Sequence, residues 1–265
     1  MIERLIWMTT RPTTIAAVSY LNTIPLLYGI RHSAELSARL LLSPPSGCAE
    51  AFDHHKADIA LIPVGALPTI KETDFDIVSS FCIGADGAVR TVVVDSNQPL
   101  AQIRRVWLDG HSRTSVKLVR YLAATRWKIA PEWAELTDYS TLETPQKGDA
   151  FLLIGDKVFD NEERFAHTWD LAAEWKALTG LPMVFAVWVA RKSVSADTLA
   201  ALEDALTLGV ERIYEAVLES EYADRDYAYN YLTHNIDFLF DQQKRLALQK
   251  FWDVALRSPL HANPG

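Results

Sequence analysis

Cysteine is nearly absent: Cys48 and Cys82 stand alone in 265 residues. Two thiols are too few for a disulfide framework, and their surroundings, SGCAE and SFCIG, lack metal-ligand spacing. Cys82 reads as a buried strand residue. No run of 18 apolar residues occurs, so no membrane span is expected. An excess of positive charge is missing too. The net charge of −8 argues against nucleic acid or an anionic membrane as a main partner, since both need a basic footprint. It leaves room for an anionic small molecule, which a few local donors can hold. The opening stretch, MIERLIWMTTRPTT, has a short apolar run broken by Arg11 and Pro12, with no small-residue cleavage site. It does not read as a signal peptide, and cytoplasmic residence is expected. No nucleophile elbow, dinucleotide fingerprint, internal repeat or flexible linker is found.

What is present is ample material for a core. The chain is 49% hydrophobic and 23% charged, as a globular protein of one large or two modest domains would be. Its first half alternates strands and helices. Ile15–Ser19, Ser37–Leu42 and Asp58–Pro63 read as strands, with helices over Ile24–Ile30 and Cys48–His55 and a further short segment at Val64–Ile70. Such alternation predicts parallel strands with right-handed crossovers. Phe75–Gly84, Val89–Asp95, Val106–Asp109, Phe151–Ile154 and Val184–Arg191 read as further strands. Helices are expected at Thr114–Arg126, Ala196–Tyr214, Arg225–Leu232 and Asn235–Leu256. The fold class expected is α/β, with two lobes and a ligand cleft between them. Residues 1–90 and 190–265 would form the first lobe and 91–189 the second. Val89–Asp95 and Val184–Arg191 would be the crossing strands.

Four constellations bear on chemistry. In Ser19-Tyr20-Leu21-Asn22 a strand runs into a helix with Pro25 in its first turn. Asn22 offers two donors and an acceptor, and it also suits a plain helix cap. In Gly84-Ala85-Asp86-Gly87-Ala88-Val89-Arg90-Thr91, glycines permit close backbone approach. Thr91 would present a hydroxyl and Arg90 would face the other way; a hairpin turn is the plainer alternative. Asp109-Gly110-His111-Ser112-Arg113-Thr114-Ser115 puts three hydroxyls and a guanidinium beside a helix start, which suits a carboxylate or an over-provided cap. Asp156, after Gly155, would orient Arg113, act as a base or serve as another cap. His54-His55 lacks a convergent ligand set, so no metal is expected there. Arg104-Arg105 reads as solvent-facing, and Trp188 is placed near the cleft.

Taken together and in order, VSYLNTIPL, ADIALIPVGAL, CIGADGAVRTVVVDS, LDGHSRTSVKL, FLLIGDKVF, DLAAEWKALTGLPMVFAVW and YLTHNIDFL resemble the menaquinone biosynthetic enzymes of the MqnA type, the chorismate dehydratases. The resemblance spans residues 15–256. It implies the two-lobed fold of type 2 periplasmic binding proteins. It also implies loss of water from chorismate to give 3-[(1-carboxyvinyl)oxy]benzoate in the futalosine route to menaquinone. Asn22 matches the Asn of the family's SYLN motif, and Thr91 stands where the family has a Ser; both are expected to be catalytic. Threonine keeps the hydroxyl but adds a methyl that stiffens χ1. Ala88 stands where the family often shows Pro. Ser19, Tyr20, Gly84, Ala85, Ser112, Arg113, Thr114, Ser115 and Asp156 are expected around the substrate.

Elimination creates a benzene ring, so the site needs to hold two carboxylates, position the leaving hydroxyl and exclude water. The substrate's own enolpyruvyl carboxylate is one acceptor for the proton. No metal or organic cofactor is implied. Two other readings stand beside this one: a solute-binding protein for small carboxylates, and the sister enzyme 1,4-dihydroxy-6-naphthoate synthase, whose opening motif is not found here.

Overall fold

A computed structural model describes residues 12–36, 38–110 and 112–256. Ser37 and His111, the expected start of a strand and a turn residue, lie outside the described residues.

The chain builds two mixed sheets. β1 (Thr13–Val18), β2 (Ala38–Ser43) and β3 (Ile59–Pro63) are parallel, joined through α1 (Ile24–His32) and α2 (Pro45–Asp53). β4 (Phe75–Ala85) then completes the first passage through this sheet. The second sheet takes β5 (Val92–Ser96), β6 (Arg105–Asp109), β7 (Glu132–Leu136), β8 (Asp149–Ile154) and β9 (His167–Asp170). α3 (Arg113–Leu122) links β6 to β7, and α4 (Leu171–Thr179) follows β9. β10 (Met183–Arg191) returns to the first sheet. α5 (Ala196–Glu211), α6 (Ile213–Glu219), α7 (Arg225–His234), β11 (Asp237–Leu239) and α8 (Gln242–Phe251) complete it. The strand orders are β11-β4-β10-β3-β1-β2 and β7-β6-β8-β5-β9.

The strands that carry the site are buried on both faces. β3 and β8 are buried at every residue, which is why IALIP and DAFLLI read as unbroken apolar runs rather than alternating ones. α1 begins where Pro25 occupies its first turn, a position that needs no N–H.

Several expectations shift. β5 lies wholly in the second sheet, and β10 pairs with β3 and β4 over its whole length. The strands themselves therefore do not cross. The crossings are 86–91 and 180–182, and sheet membership puts 183–189 with the first sheet, not with residues 91–189 as the sequence reading has it. Trp188 is fully buried in β10, opposite Leu61, and does not line the cleft. The stretch 235–256 is not one helix, because Asp237–Leu239 pairs with the edge of β4 before α8 begins. The helix from Ala196 ends at Glu211 and restarts as α6 after Arg212. The α3 helix runs on as a wide turn through Trp127. Cys82 is buried as expected, and Cys48 is buried in α2. His54 and His55 lie just beyond α2 and are exposed. Among the described residues, no helix is long and apolar enough to cross a membrane, and no group of three His, Cys, Asp or Glu is arranged for a metal ion.

Candidate active site

The ends of β1 and β3 face the ends of β6 and β8 across a cleft between the two sheets. Its walls are mostly apolar, with Leu61, Pro63, Ile83, Val92, Ile154 and Phe185 among them. Polar groups enter from both sides.

On the first side, the chain leaves β1 in a tight turn, Leu21–Thr23, before α1. Thr23 knits this turn together. Its hydroxyl donates to the Val18 carbonyl at 2.6 Å and lies 2.8 Å from that of Tyr20. Thr23 occupies the cap position of α1, so the half-buried Asn22 is not the helix cap. Its side chain is left to line the cleft. The Leu21 N–H donates across the interface to the Asp156 carboxylate, at 3.2 and 3.3 Å from its two oxygens.

Thr91 closes the first crossing. It is 1% exposed, lines the cleft, and its Oγ1 lies 2.7 Å from the hydroxyl of Tyr231 on α7. Arg90 faces the other way, as expected. It is exposed, paired with Glu162 at 2.5 Å, and stacked over the Tyr227 ring. Its φ of 63° gives the left-handed kink that separates the two side chains.

On the second side stands the start of α3. Ser112 is a true N-cap: its Oγ accepts from the Ser115 N–H at 3.0 Å. The Thr114 hydroxyl is fully engaged with the other lobe, donating to the Phe185 carbonyl and accepting from the Gly65 N–H, both at 3.1 Å. Lys117 adds a bond to the Gly65 carbonyl at 2.6 Å. Ser112, Arg113, Thr114 and Ser115 all line the cleft, and Arg113 is exposed there.

Tyr20 lines the cleft and also a neighbouring polar depression. Its ring lies on Gly155, whose φ of 67° and lack of a side chain permit the contact; a Cβ there would sit 3.0 Å from the ring. Burial raises the Tyr20 pKa, with the Lys157 ammonium opposing. Lys157 itself donates to the Asp109 carboxylate and to the Tyr139 hydroxyl.

The expected residues thus divide. Asn22, Thr91, Tyr20 and Ser112–Ser115 converge in one cleft. Ser19 is exposed in the neighbouring depression, beside Asp156. Asp156 holds Leu21 instead of Arg113; burial raises its pKa, with the Leu21 N–H opposing. Gly84 and Ala85 lie within β4, and Gly84 is packed beside the Met183 carbonyl and Lys244. Neither lines the cleft, because the strand continues through Ala85 before the chain turns. Tyr231 was not singled out from the sequence. Its motif, YLTHNIDFL, belongs to the resemblance, but only the return of α7 brings it against Thr91, behind the cleft wall.

Two sheets, two crossings and a cleft furnished from both sides define the periplasmic-binding-protein fold. Solved structures agree. A protein of Archaeoglobus fulgidus superposes with a TM-score of 0.74 at 15% identity, covering 94% of this chain and 98% of that one. A Candida albicans gene product, described as having the generic periplasmic binding protein fold, gives 0.67 at 12% over 94% and 92%. The periplasmic aliphatic sulphonate binding protein of Escherichia coli gives 0.61 at 13% over 94% of each chain. The family model for menaquinone biosynthesis matches residues 13–257, and the chain belongs to that family.

Proposed function

We propose that this member of the menaquinone-biosynthesis family is a chorismate dehydratase, a carbon–oxygen lyase giving 3-[(1-carboxyvinyl)oxy]benzoate. One observation carries the reading. Among the described residues, the cleft is lined by apolar walls, hydroxyls, an amide and one guanidinium, with no His, Lys, Asp or Glu. That lining supports a reading in which the base comes from the substrate itself.

In this reading the ring lies between the apolar walls. One carboxylate meets the α3 N-terminus and Arg113, where the helix dipole and a charge-assisted bond favour it. Asn22 and Thr91 hold the hydroxyl that leaves. The ring carbon that carries the enolpyruvyl ether gives its hydrogen as a proton to the enolpyruvyl carboxylate, and the C–OH bond of the adjacent ring carbon breaks, the ether staying intact. The new double bond completes the aromatic ring, and the proton and hydroxide depart as water. The protein's contribution is position, dryness and hydrogen bonds at the departing oxygen.

The test is to incubate the pure protein with chorismate and follow the products by mass spectrometry. The expected product is chorismate less one water, with an aromatic absorbance. Chorismate that is bound but returned unchanged would favour a carboxylate-binding protein instead.

A further inference from the structure

We propose that Tyr231 is a positioning residue that aims the Thr91 hydroxyl into the cleft. The inference rests on the dehydratase reading for its reaction, but its geometry stands independently.

Tyr231 is 1% exposed, and its hydroxyl lies 2.7 Å from Thr91 Oγ1. One buried oxygen thus touches Thr91, a residue expected to act on the substrate, from an element 140 residues beyond it. Burial raises the Tyr231 pKa, so the phenol stays neutral and keeps its proton.

Counting protons gives this bond its direction. A phenol has one hydrogen to give, and a buried one left unused is costly. Thr91 Oγ1, at 2.7 Å, is the acceptor assigned to the phenol proton. Thr91 then has its own proton to place. The Val89 carbonyl, at 3.5 Å, is a poor acceptor for it. The remaining direction is into the cleft, toward an oxygen of the ligand. Tyr231 thus turns a rotatable hydroxyl into an aimed donor.

The ring itself is held independently of the hydroxyl. Phe159, from the second lobe, packs edge-on against Tyr231 with centroids 5.5 Å apart. Tyr231→Phe keeps this contact and removes only the oxygen. Thr91 is then free to turn to Val89.

The experiment measures kcat and KM for chorismate in the wild type, Tyr231→Phe, Thr91→Val and the double variant. Tyr231→Phe is expected to lower kcat about 10- to 100-fold with little change in KM. Adding it to Thr91→Val should cause little further loss, because the aimed hydroxyl is already gone. Unchanged kcat in Tyr231→Phe, or losses that multiply in the double variant, would overturn the proposal while leaving the dehydratase reading intact. If the wild type does not consume chorismate, that reading falls, and calorimetric affinity for 3-hydroxybenzoate in the same four proteins decides. Weaker binding in Tyr231→Phe, with no further weakening in the double variant, supports the aimed hydroxyl. Equal affinities, or no binding to the wild type, overturn it. Should Tyr231→Phe fail to fold, 3-fluorotyrosine at 231 replaces it; being a stronger donor, it must alter kcat, and an unaltered value also overturns the proposal.

Discussion

Replacing Gly65 by alanine puts a methyl group where the two lobes touch. Its Cβ would lie 2.7 Å from the Arg113 carbonyl oxygen and from Thr114 Cα, and 2.9 Å from the Arg113 carbonyl carbon. Ordinary contact begins at 3.4 Å. These are backbone atoms of the first turn of α3, so no side-chain rotation relieves the clash. The turn after β3 or the whole start of α3 has to move. Overpacking of this kind costs about 1–3 kcal/mol. The movement also strains the Thr114 bond to the Gly65 N–H and the Lys117 bond to its carbonyl. With their weakening the total comes to roughly 2–5 kcal/mol.

That cost can be relieved in two ways, and each has its own readout. If the lobes stay together, the melting temperature falls by roughly 5–15 °C. If they part, the cost appears as weaker closure on a ligand, at tenfold in affinity for about every 1.4 kcal/mol. Thermal melts and calorimetric titration with 3-hydroxybenzoate measure both. Gly110→Ala is the control, since a Cβ there meets nothing within 4 Å. A Gly65→Ala protein that melts and binds like the wild type would refute the contact between Gly65 and α3.

Three further outcomes are expected. Asn22→Ala should lose chorismate turnover while its melting temperature stays close to that of the wild type, because Asn22 does not cap α1; normal turnover would remove Asn22 from the site. Thr91→Ser should remain active and Thr91→Val should not, as steady-state kinetics will read, since only valine deletes the hydroxyl that meets Tyr231. Asp95 has its pKa pushed up to about 6 by burial, against a bond from Thr168 and with Glu162 adding to the rise. A carboxyl whose folded pKa lies above its unfolded value of about 3.9 binds protons more tightly when folded, so stability falls as pH rises from about 4 to about 6, by on the order of 3 kcal/mol. Asp95→Asn keeps an oxygen for Thr168 and should flatten that slope in melts run across pH 4–8; an undiminished slope would show that another group causes it.

The fold was legible where each element carried its own signal. The β1–α1–β2–α2–β3 run announces itself because each strand is a short apolar block; Pro25 marks the first turn of α1, whereas α2 begins at Pro45, three residues before the expected Cys48. What failed was partnership. VFAVWVAR has the composition of a long buried strand, and nothing in those residues says that both its neighbours lie in the first sheet. β7 and β9, EWAEL and HTWD, are short and half polar, so neither shows the unbroken apolar run of a buried strand. β11 is three residues long, too short to interrupt a helical pattern.

The lining of the candidate cleft was legible in the same measure. Asn22, Thr91 and Ser112–Ser115 stand at chain junctions, where a strand ends and side chains are released toward the cleft. Gly84 and Ala85 stand near a junction too, but the hydrogen-bonded ladder runs to Ala85 and keeps them in the sheet. Asp156 was placed at the right edge of the right sheet. Its partner, the Leu21 N–H, belongs to the other lobe, and no local pattern names it. Tyr231 lacks any local signal, since its meaning is the distant Thr91 hydroxyl that it touches.

The start of α3 shows why counting polar residues in a motif overstates a binding site. Four side chains, Ser112 to Ser115, read as a carboxylate cradle. Thr114 is wholly engaged by Gly65 and Phe185, and Ser112 accepts the Ser115 N–H. The hydroxyls that suggested an anion site therefore do two other jobs: one joins the lobes, and one caps the helix. What remains for a ligand is Arg113, the donor side of the Ser112 hydroxyl, the Ser115 hydroxyl and the helix dipole. In the proposed reading, anion recognition at this end would fall chiefly to one guanidinium, while Thr114 joins the lobes that form the cleft. A threonine and a serine two residues apart look alike in sequence, and only the backbone each one meets tells a staple from a contact.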